Sequence, residues 1–385
     1  MKFATKAAHS GNKSDIATGS VNVPIYQTTI YELDDLQSSK GFSYSRLNNP
    51  TRQAFENSIA ALECANHCFA FSSGMAAADA VVRLLKPGDT VLASSDLYGG
   101  TNRLFNAVFA DFGIQFKYVD LSAYDELEKQ ITADVKMIWF ESPSNPLLRI
   151  LDIKRIAGIA KKHGILSCID NTFASPYLQQ PLELGIDLIV HSGTKYLAGH
   201  SDVLIGAALC NNPIIAEQLY LVQSAAGAVP GPQDCFLTIR GMKTLHLRMK
   251  AHCENAKAVA NLLRSNANVE HVYWPGFEDS PDFVLAKEQM NDFGGVVCFN
   301  LKKDSVDQVR KMVAGLKVFT LAESLGGVES LVAHPATMSH ATLTREERYD
   351  RGIKDATIRL SVGIEDMDDL TEDLSRALNK LNDLS

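Results

Sequence analysis

Ile189-Val190-His191-Ser192-Gly193-Thr194-Lys195-Tyr196 is the stretch whose reading decides the rest of the chain. Leu188 to Val190 is a short apolar run that reads as a buried strand. At its end the chain turns through small hydroxylated residues and delivers one lysine. A lysine amine among apolar neighbours loses solvation as a cation, so its pKa falls and it becomes a usable nucleophile toward an aldehyde. Ser192 and Thr194 bring two hydroxyl donors close to that amine, as a phosphate requires. One aldehyde and one phosphate on the same small molecule describe pyridoxal phosphate. On this stretch alone, a surface lysine after a strand competes with that reading.

Upstream, Ile165-Leu166-Ser167-Cys168-Ile169-Asp170 reads as a second buried strand, and it ends in an acid. The interval to Lys195 leaves room for one crossover and a strand. A carboxylate at a strand's C-terminal end can hold a pyridine nitrogen protonated, which makes the ring an electron sink. A helix-capping Asp170 fits less well, because Asn171 to Pro176 does not read as a helix start.

At 385 residues the chain is long enough for two domains with a large core. Its 46% apolar and 21% charged residues are ordinary for a soluble globular protein. A formal net charge of −8 argues against nucleic acid or an anionic membrane as partner. No apolar run approaches the roughly 20 residues of a membrane span, and Met1 to Lys6 lacks the apolar core of a signal peptide. Seven scattered cysteines read as reduced thiols of a cytoplasmic protein. Cys64 and Cys68 flank His67, but no second ligand pair follows at zinc-site spacing. They are expected to be helix-packing residues, and no metal is expected.

In chain order, residues 1–47 form a polar arm with little periodicity, expected to lie against a partner surface in an oligomer. Tyr44 and Arg46, two apart on an extended segment, point the same way and suit an anion, or are ordinary surface residues. A helix follows on Phe55, Ile59 and Leu62. Phe69 to Phe71 then reads as a strand, and Ser72-Ser73-Gly74-Met75 as a turn into a helix. Exposed backbone N–H groups there favour an anion, and a simple cap by Ser72 or Ser73 is compatible with that. Tyr98, on the loop after the strand Thr90 to Ala93, is placed to stack on a flat ring or to pack. The alternation continues to Gly164 and implies a parallel sheet whose ligand sites gather at the strands' C-terminal edge. Ser73-Gly74, Tyr98, Ser142 to Asn145, Asp170 and Ser192 all fall at that edge.

Beyond residue 240 the texture changes. A long helix is expected from Gly241 to about Arg264, then strands at Val269 to Tyr273 and Val296 to Leu301. A helix over Val306 to Ala314, a strand-like Ile358 to Gly363 and a charged amphipathic helix complete a smaller α+β domain. The expected division is an arm over 1–47, a large cofactor-binding domain over 48–240 and a small domain over 241–385. Arg359 is the only charge in its apolar strand. A buried arginine needs an anionic partner, either an amino-acid carboxylate or a structural ion pair.

These stretches together resemble the cystathionine γ-synthase/γ-lyase family of trans-sulfuration enzymes, pyridoxal-phosphate proteins of fold type I. The resemblance is carried by Tyr44-Ser45-Arg46, Asn49-Pro50-Thr51-Arg52, Ser72-Ser73-Gly74-Met75-Ala76 and Asp96-Leu97-Tyr98-Gly99-Gly100-Thr101. It continues through Glu141-Ser142-Pro143-Ser144-Asn145-Pro146, Asp170-Asn171-Thr172-Phe173, His191 to Tyr196, Gly199-His200-Ser201-Asp202 and Arg359-Leu360-Ser361-Val362-Gly363. It implies an aspartate-aminotransferase-like α/β fold, with a mostly parallel seven-stranded sheet and a smaller C-terminal domain. It implies that Lys195 holds the cofactor as an imine, that Asp170 pairs with the pyridine nitrogen and that Tyr98 stacks on the ring. Gly74, Met75, Ser192 and Thr194 would bind the phosphate. Tyr44 and Arg46 would reach it from the neighbouring subunit of a catalytic dimer, usually two dimers to a tetramer. Asn145, Arg359 and the Ser324 backbone would orient the substrate carboxylate. Gly193 departs from the family's expected alanine or other small residue, but removes no chemical group.

The chemistry the resemblance implies is γ-elimination or γ-replacement on sulfur amino acids, with Lys195 taking the Cα proton and Tyr98 placed to protonate the leaving group. Family members that eliminate from methionine tend to carry Cys where this chain has Gly100. Those acting on cystathionine tend to carry an acid where it has Glu323, which would attract the distal ammonium; an exposed loop glutamate is the other reading. Both positions favour cystathionine γ-lyase or γ-synthase, and the lyase is the first reading. Cystathionine γ-synthase, using O-succinyl- or O-acetylhomoserine with cysteine, is the alternative, followed by methionine γ-lyase and O-acetylhomoserine sulfhydrylase. A nicotinamide-dependent dehydrogenase is disfavoured, because no Gly-x-Gly-x-x-Gly lies between the first strand and helix. A non-enzymatic scaffold would be expected to have lost Lys195 or Asp170.

Overall fold

The computed structural model describes residues 1–11, 13–36 and 38–382. The expected arm and small domain include positions 12, 37 and 383–385, which lie outside the described residues. Seven strands build the large sheet: β1 (His67–Phe71), β2 (Thr90–Ser94), β3 (Gln115–Val119), β4 (Val135–Glu141), β5 (Leu166–Asp170), β6 (Leu188–Ser192) and β7 (Gly206–Cys210). Their spatial order is β1-β7-β6-β5-β4-β2-β3. Strands β2 to β6 run parallel, and β7 is antiparallel to both β6 and β1. The sheet is thus mostly parallel, as expected. Residues such as Leu92, Ile138, Trp139, Ile169 and Ile189 are fully buried, which fits a sheet covered on both faces.

Local chemistry sets the flanking helices. Asn49 accepts from the N–H groups of Thr51 and Arg52, and Pro50 occupies the first turn of the helix Pro50–Glu63. Phe55, Ile59 and Leu62 form its buried face. Asp152 accepts from the Arg155 N–H to start Ile153–His163, and Gly164 ends that helix in the left-handed conformation.

A second sheet is formed by β8 (Val269–Tyr273), β9 (Val296–Leu301), β10 (Thr320–Leu321), β11 (Leu331–Ala333) and β12 (Thr357–Ser361), in the order β10-β11-β12-β9-β8. The helices Leu245–Ser265 and Met367–Asn379 pack with it around Val297, Phe299, Ile358, Leu360, Leu370 and Leu374.

Several sequence expectations need correction. The arm carries a short helix, Phe3–His9, with Ala7 buried and the Phe3 ring edge-on to Tyr177 at 5.3 Å. Cys68 lies on β1, while Cys64 terminates the preceding helix in the left-handed conformation, so the two do not share a helix face. The helix expected from Gly241 is two: Gly231-Pro232 opens Pro232–Met242, and the long helix begins at Leu245. The stretch after Asp170 does reach a helical turn, at Ser175–Leu178, too far along for Asp170 to cap.

Candidate active site

A cleft of about 430 Å³ opens where β4, β5 and β6 end, and the segment around Ser324 and β12 close it from the second sheet's side. Gly74, Met75, Tyr98, Asn145, Asp170, Ser192, Thr194, Lys195, Glu323, Ser324 and Arg359 all line it. Tyr44 and Arg46 do not.

Lys195 follows β6 and donates from Nζ to Ser324 Oγ at 2.6 Å. Burial lowers its pKa to about 8, and the nearby Arg359 cation pushes the same way; Glu323 and Asp170 partly oppose. A substantial fraction of the amine is therefore neutral near pH 8. Ser324 sits at φ +104°, a region that non-glycine residues rarely adopt. Such backbone positions concentrate at functional sites. Its carbonyl accepts from Arg359 Nη2 at 2.8 Å, so one strained residue touches both Lys195 and Arg359.

Asp170 ends β5 in register with Glu141 on β4 and Val190 on β6. Its Oδ1 accepts from the Thr172 N–H at 3.0 Å, and Thr172 Oγ1 in turn accepts from the Ser192 N–H at 2.8 Å. Burial pushes the Asp170 carboxyl up, while Thr172, His191 and Lys195 pull it back. Behind it the buried pair His191 and Glu63 meets at 2.5 Å, and Asn171 donates to the same Glu63 oxygen at 2.8 Å. Sequence reasoning gave Glu141 no role. It accepts from the Tyr98 N–H at 2.7 Å, and burial beside Asp170 drives its carboxyl well above the usual range. Its signal was available: Glu141 closes the apolar run of β4 as Asp170 closes that of β5.

On another wall of the cleft, Ser73 accepts from the Ala76 N–H and starts the helix Gly74–Val82. A Cβ at Gly74 would lie 2.8 Å from Ser192 Cβ, and one at Gly206 would lie 2.1 Å from the Ser73 carbonyl. Both glycines let this helix start press against the ends of β6 and β7, and Ser73, Gly74 and Met75 line the cleft. The Thr194 hydroxyl is engaged by Ile205, accepting from its N–H at 3.1 Å and donating to its carbonyl at 3.3 Å. The departure at Gly193 has a local reason, since a Cβ there would lie 2.7 Å from Ile205 Cγ2.

Arg359 is 5% exposed. Its Nη1 donates to Asn145 Oδ1 at 2.9 Å, its Nε has no partner, and among the described residues no carboxylate forms an ion pair with it. The alternative of a structural ion pair finds no acid here. Tyr98 is 43% exposed; burial of its remainder and the Glu323 charge push the phenol up. Its ring lies over Gly100, where a Cβ would be 2.4 Å from Cε1. Glu323 lies exposed at the mouth, and Arg103, not singled out by the sequence reading, lines the same rim. Within one chain, Arg46 stands 5.5 Å over the exposed Tyr44 ring and donates to the Ser224 carbonyl.

This donor set fits pyridoxal phosphate: a half-buried amine for the aldehyde, a half-buried carboxyl for the ring nitrogen, and a glycine-backed helix start for the phosphate. The model of the Cys/Met metabolism PLP-dependent enzymes matches residues 4–379. The chain is 49% identical over 376 residues to a cystathionine beta-lyase of Lactococcus lactis subsp. cremoris (strain MG1363), covering 98% of each. It is 47% identical over 384 residues to a cystathionine gamma-lyase of Dictyostelium discoideum, again covering 98% of each. The solved structure of cystathionine gamma synthase from Xanthomonas oryzae pv. oryzae, in complex with aminoacrylate and cysteine, superposes with a TM-score of 0.97 at 42% identity over 100% of both chains.

Proposed function

Because this chain belongs to the Cys/Met metabolism PLP-dependent enzymes, we propose that it cleaves cystathionine at the γ-carbon, giving cysteine, 2-oxobutanoate and ammonia. The observation that carries this reading is the Lys195 amine, with its pKa lowered to about 8, in one cleft with Asp170 and the unpaired Arg359. When bound, pyridoxal phosphate supplies an electron sink conjugated with the substrate's α-carbon.

The chain's own residues do the rest. Lys195 would hold the cofactor through its amine and would serve as the base for the Cα proton. Ser324 Oγ, 2.6 Å from Nζ, holds that amine in place. Asp170 keeps a proton on the ring nitrogen. Arg359, aimed by Asn145 and the Ser324 carbonyl, takes the substrate carboxylate. Gly74, Met75, Ser192 and Thr194 would hold the phosphate. Tyr98 is placed to return a proton to the departing sulfur, and Glu323 at the mouth attracts the distal ammonium of cystathionine.

Tyr44 and Arg46 complete the phosphate site of a neighbouring copy, and the working unit is a dimer of catalytic dimers. Their distance from their own cleft and the exposed apolar residues of the arm, Ile16, Val21 and Ile30, support this. The division into an arm over 1–47 and domains over 48–240 and 241–385 is supported by the strands, those of the large sheet lying between His67 and Cys210 and those of the second between Val269 and Ser361. Seven free cysteines support a cytoplasmic site of action. Among the described residues no helix is long and apolar enough to cross a membrane.

Two other readings are favoured by relatives, β-elimination and γ-synthesis. One assay separates them. Purified enzyme given cystathionine alone should release 2-oxobutanoate and cysteine. Pyruvate and homocysteine would move the reaction to the β-carbon. Cystathionine formed from an O-acylhomoserine and cysteine, with negligible cleavage, would make the enzyme a synthase.

A further inference from the structure

Arg52 is only 2% exposed and lies outside the cleft. Its Nη1 donates to the Ser45 carbonyl at 2.7 Å, and its Nη2 donates to the carbonyls of Leu47 at 2.8 Å and Arg46 at 3.4 Å. Three consecutive carbonyls of the segment bearing Tyr44 and Arg46 therefore end on one guanidinium. A planar fork of fixed donors can hold such a set, whereas a lysine ammonium cannot reproduce it. Asn49 adds to the grip, donating from Nδ2 to Ser45 Oγ at 3.3 Å and to the Tyr26 carbonyl at 2.9 Å.

The brace is anchored on the other side. Arg52 Nε faces Glu56 Oε1 at 3.7 Å. That oxygen accepts from the Ala70 N–H at 2.8 Å and from Gln223 Nε2 at 3.0 Å. Gln223 also donates to the Ala70 carbonyl at 2.8 Å. The segment is thus tied, through one buried cation, to β1 of the large sheet. Arg46 itself spends one donor on the Ser224 carbonyl, and among the described residues its other donors have no hydrogen-bond partner.

We propose that Arg52 is a positioning residue that acts across the subunit boundary, fixing the segment 44–47 so that Tyr44 and Arg46 meet the cofactor phosphate of a neighbouring copy. This rests on the reading of Tyr44 and Arg46 given above. Arg52 touches neither cofactor nor substrate, so its effect must appear in its neighbour's site and not in its own.

The test uses Arg52→Lys and the milder Glu56→Gln, which keeps an acceptor for Ala70 but removes the charge facing Arg52. Apoenzyme is titrated with pyridoxal phosphate, and the yellow absorbance of cofactor fixed to Lys195 gives the affinity. Melting temperature and sedimentation check fold and assembly. Arg52→Lys should weaken cofactor binding roughly 10- to 100-fold, as misplaced positioning groups do, with assembly intact. Glu56→Gln should shift it the same way by a few-fold. Unchanged affinity in both overturns the proposal.

The decisive arm is a tagged hybrid of Arg52→Lys chains with Lys195→Ala chains. Only the Arg52→Lys subunit can then develop colour, and its phosphate is served by a partner with an intact brace. Wild-type affinity in that hybrid is expected; affinity as weak as in the Arg52→Lys parent means Arg52 acts within its own subunit and overturns the inference. A parallel hybrid of Arg46→Ala with Lys195→Ala tests the underlying reading. If it too stays weak, the assignment of Tyr44 and Arg46 to the neighbour fails. If it recovers while the Arg52 hybrid does not, only the role of Arg52 fails.

Discussion

Replacing Arg359 by Met distinguishes a substrate-binding arginine from a structural one. Among the described residues the guanidinium makes two hydrogen bonds, to Asn145 Oδ1 and to the Ser324 carbonyl, and no ion pair. Losing them costs about 1 kcal/mol each, and removing an unpaired buried cation offsets part of that. The net change in folding stability should stay below about 2 kcal/mol. A substrate carboxylate held in a two-point contact loses two charge-assisted hydrogen bonds, worth about 1.5–3 kcal/mol each. The kcat/KM for cystathionine should then fall by roughly 10²–10⁴, at 1.4 kcal/mol per factor of ten. The Lys195 pKa should also move up from about 8, because Arg359 is one of the charges holding it down. The assay pairs denaturant unfolding of the variant with steady-state kinetics. A stability loss of about 3–5 kcal/mol, the signature of a broken buried ion pair, with kcat/KM preserved would refute the reasoning.

Three further outcomes are expected. The neutral fraction of the Lys195 amine rises with pH through about 8, so capture of pyridoxal phosphate by apoenzyme should accelerate from about pH 7 and level off above about pH 9; stopped-flow absorbance checks this, and a rise delayed to about pH 10 would contradict it. Gly206→Ala places a Cβ 2.1 Å from the Ser73 carbonyl and should cost about 1–3 kcal/mol of stability and weaken cofactor binding; a wild-type melting curve would show that the helix start does not depend on this close approach. Glu323→Ala should raise KM for cystathionine more than for homoserine esters, and an equal effect on both would remove Glu323 from substrate selection.

The parts of the site legible in the sequence were those announced by a change of polarity at a strand end. Asp170 and Lys195 follow apolar runs, so their positions at the edge of the large sheet could be read directly, and Arg359 shows itself as the one charge inside an apolar strand. The parts that were not legible depend on contacts far apart in the chain. Nothing local marks Ser324 as the acceptor for Lys195 and the carbonyl for Arg359, because its role comes from a left-handed backbone and from partners 129 and 35 residues away in the chain. Strand β7, Gly206-Ala207-Ala208-Leu209-Cys210, has small residues of weak strand preference and is held by pairing on both sides. The helix Pro232–Met242 was announced by Gly231-Pro232, but its apolar residues merge with those of the next helix. The Arg52 brace reads as an ordinary helical arginine until its three carbonyl partners are seen.

The most direct measurement treats the yellow holoenzyme with borohydride and identifies the modified residue by peptide mass spectrometry. The expected result is a single pyridoxyl adduct on Lys195, absent from Lys195→Ala. An adduct on any other lysine, or a colourless protein that takes up no cofactor, would contradict the account at its root.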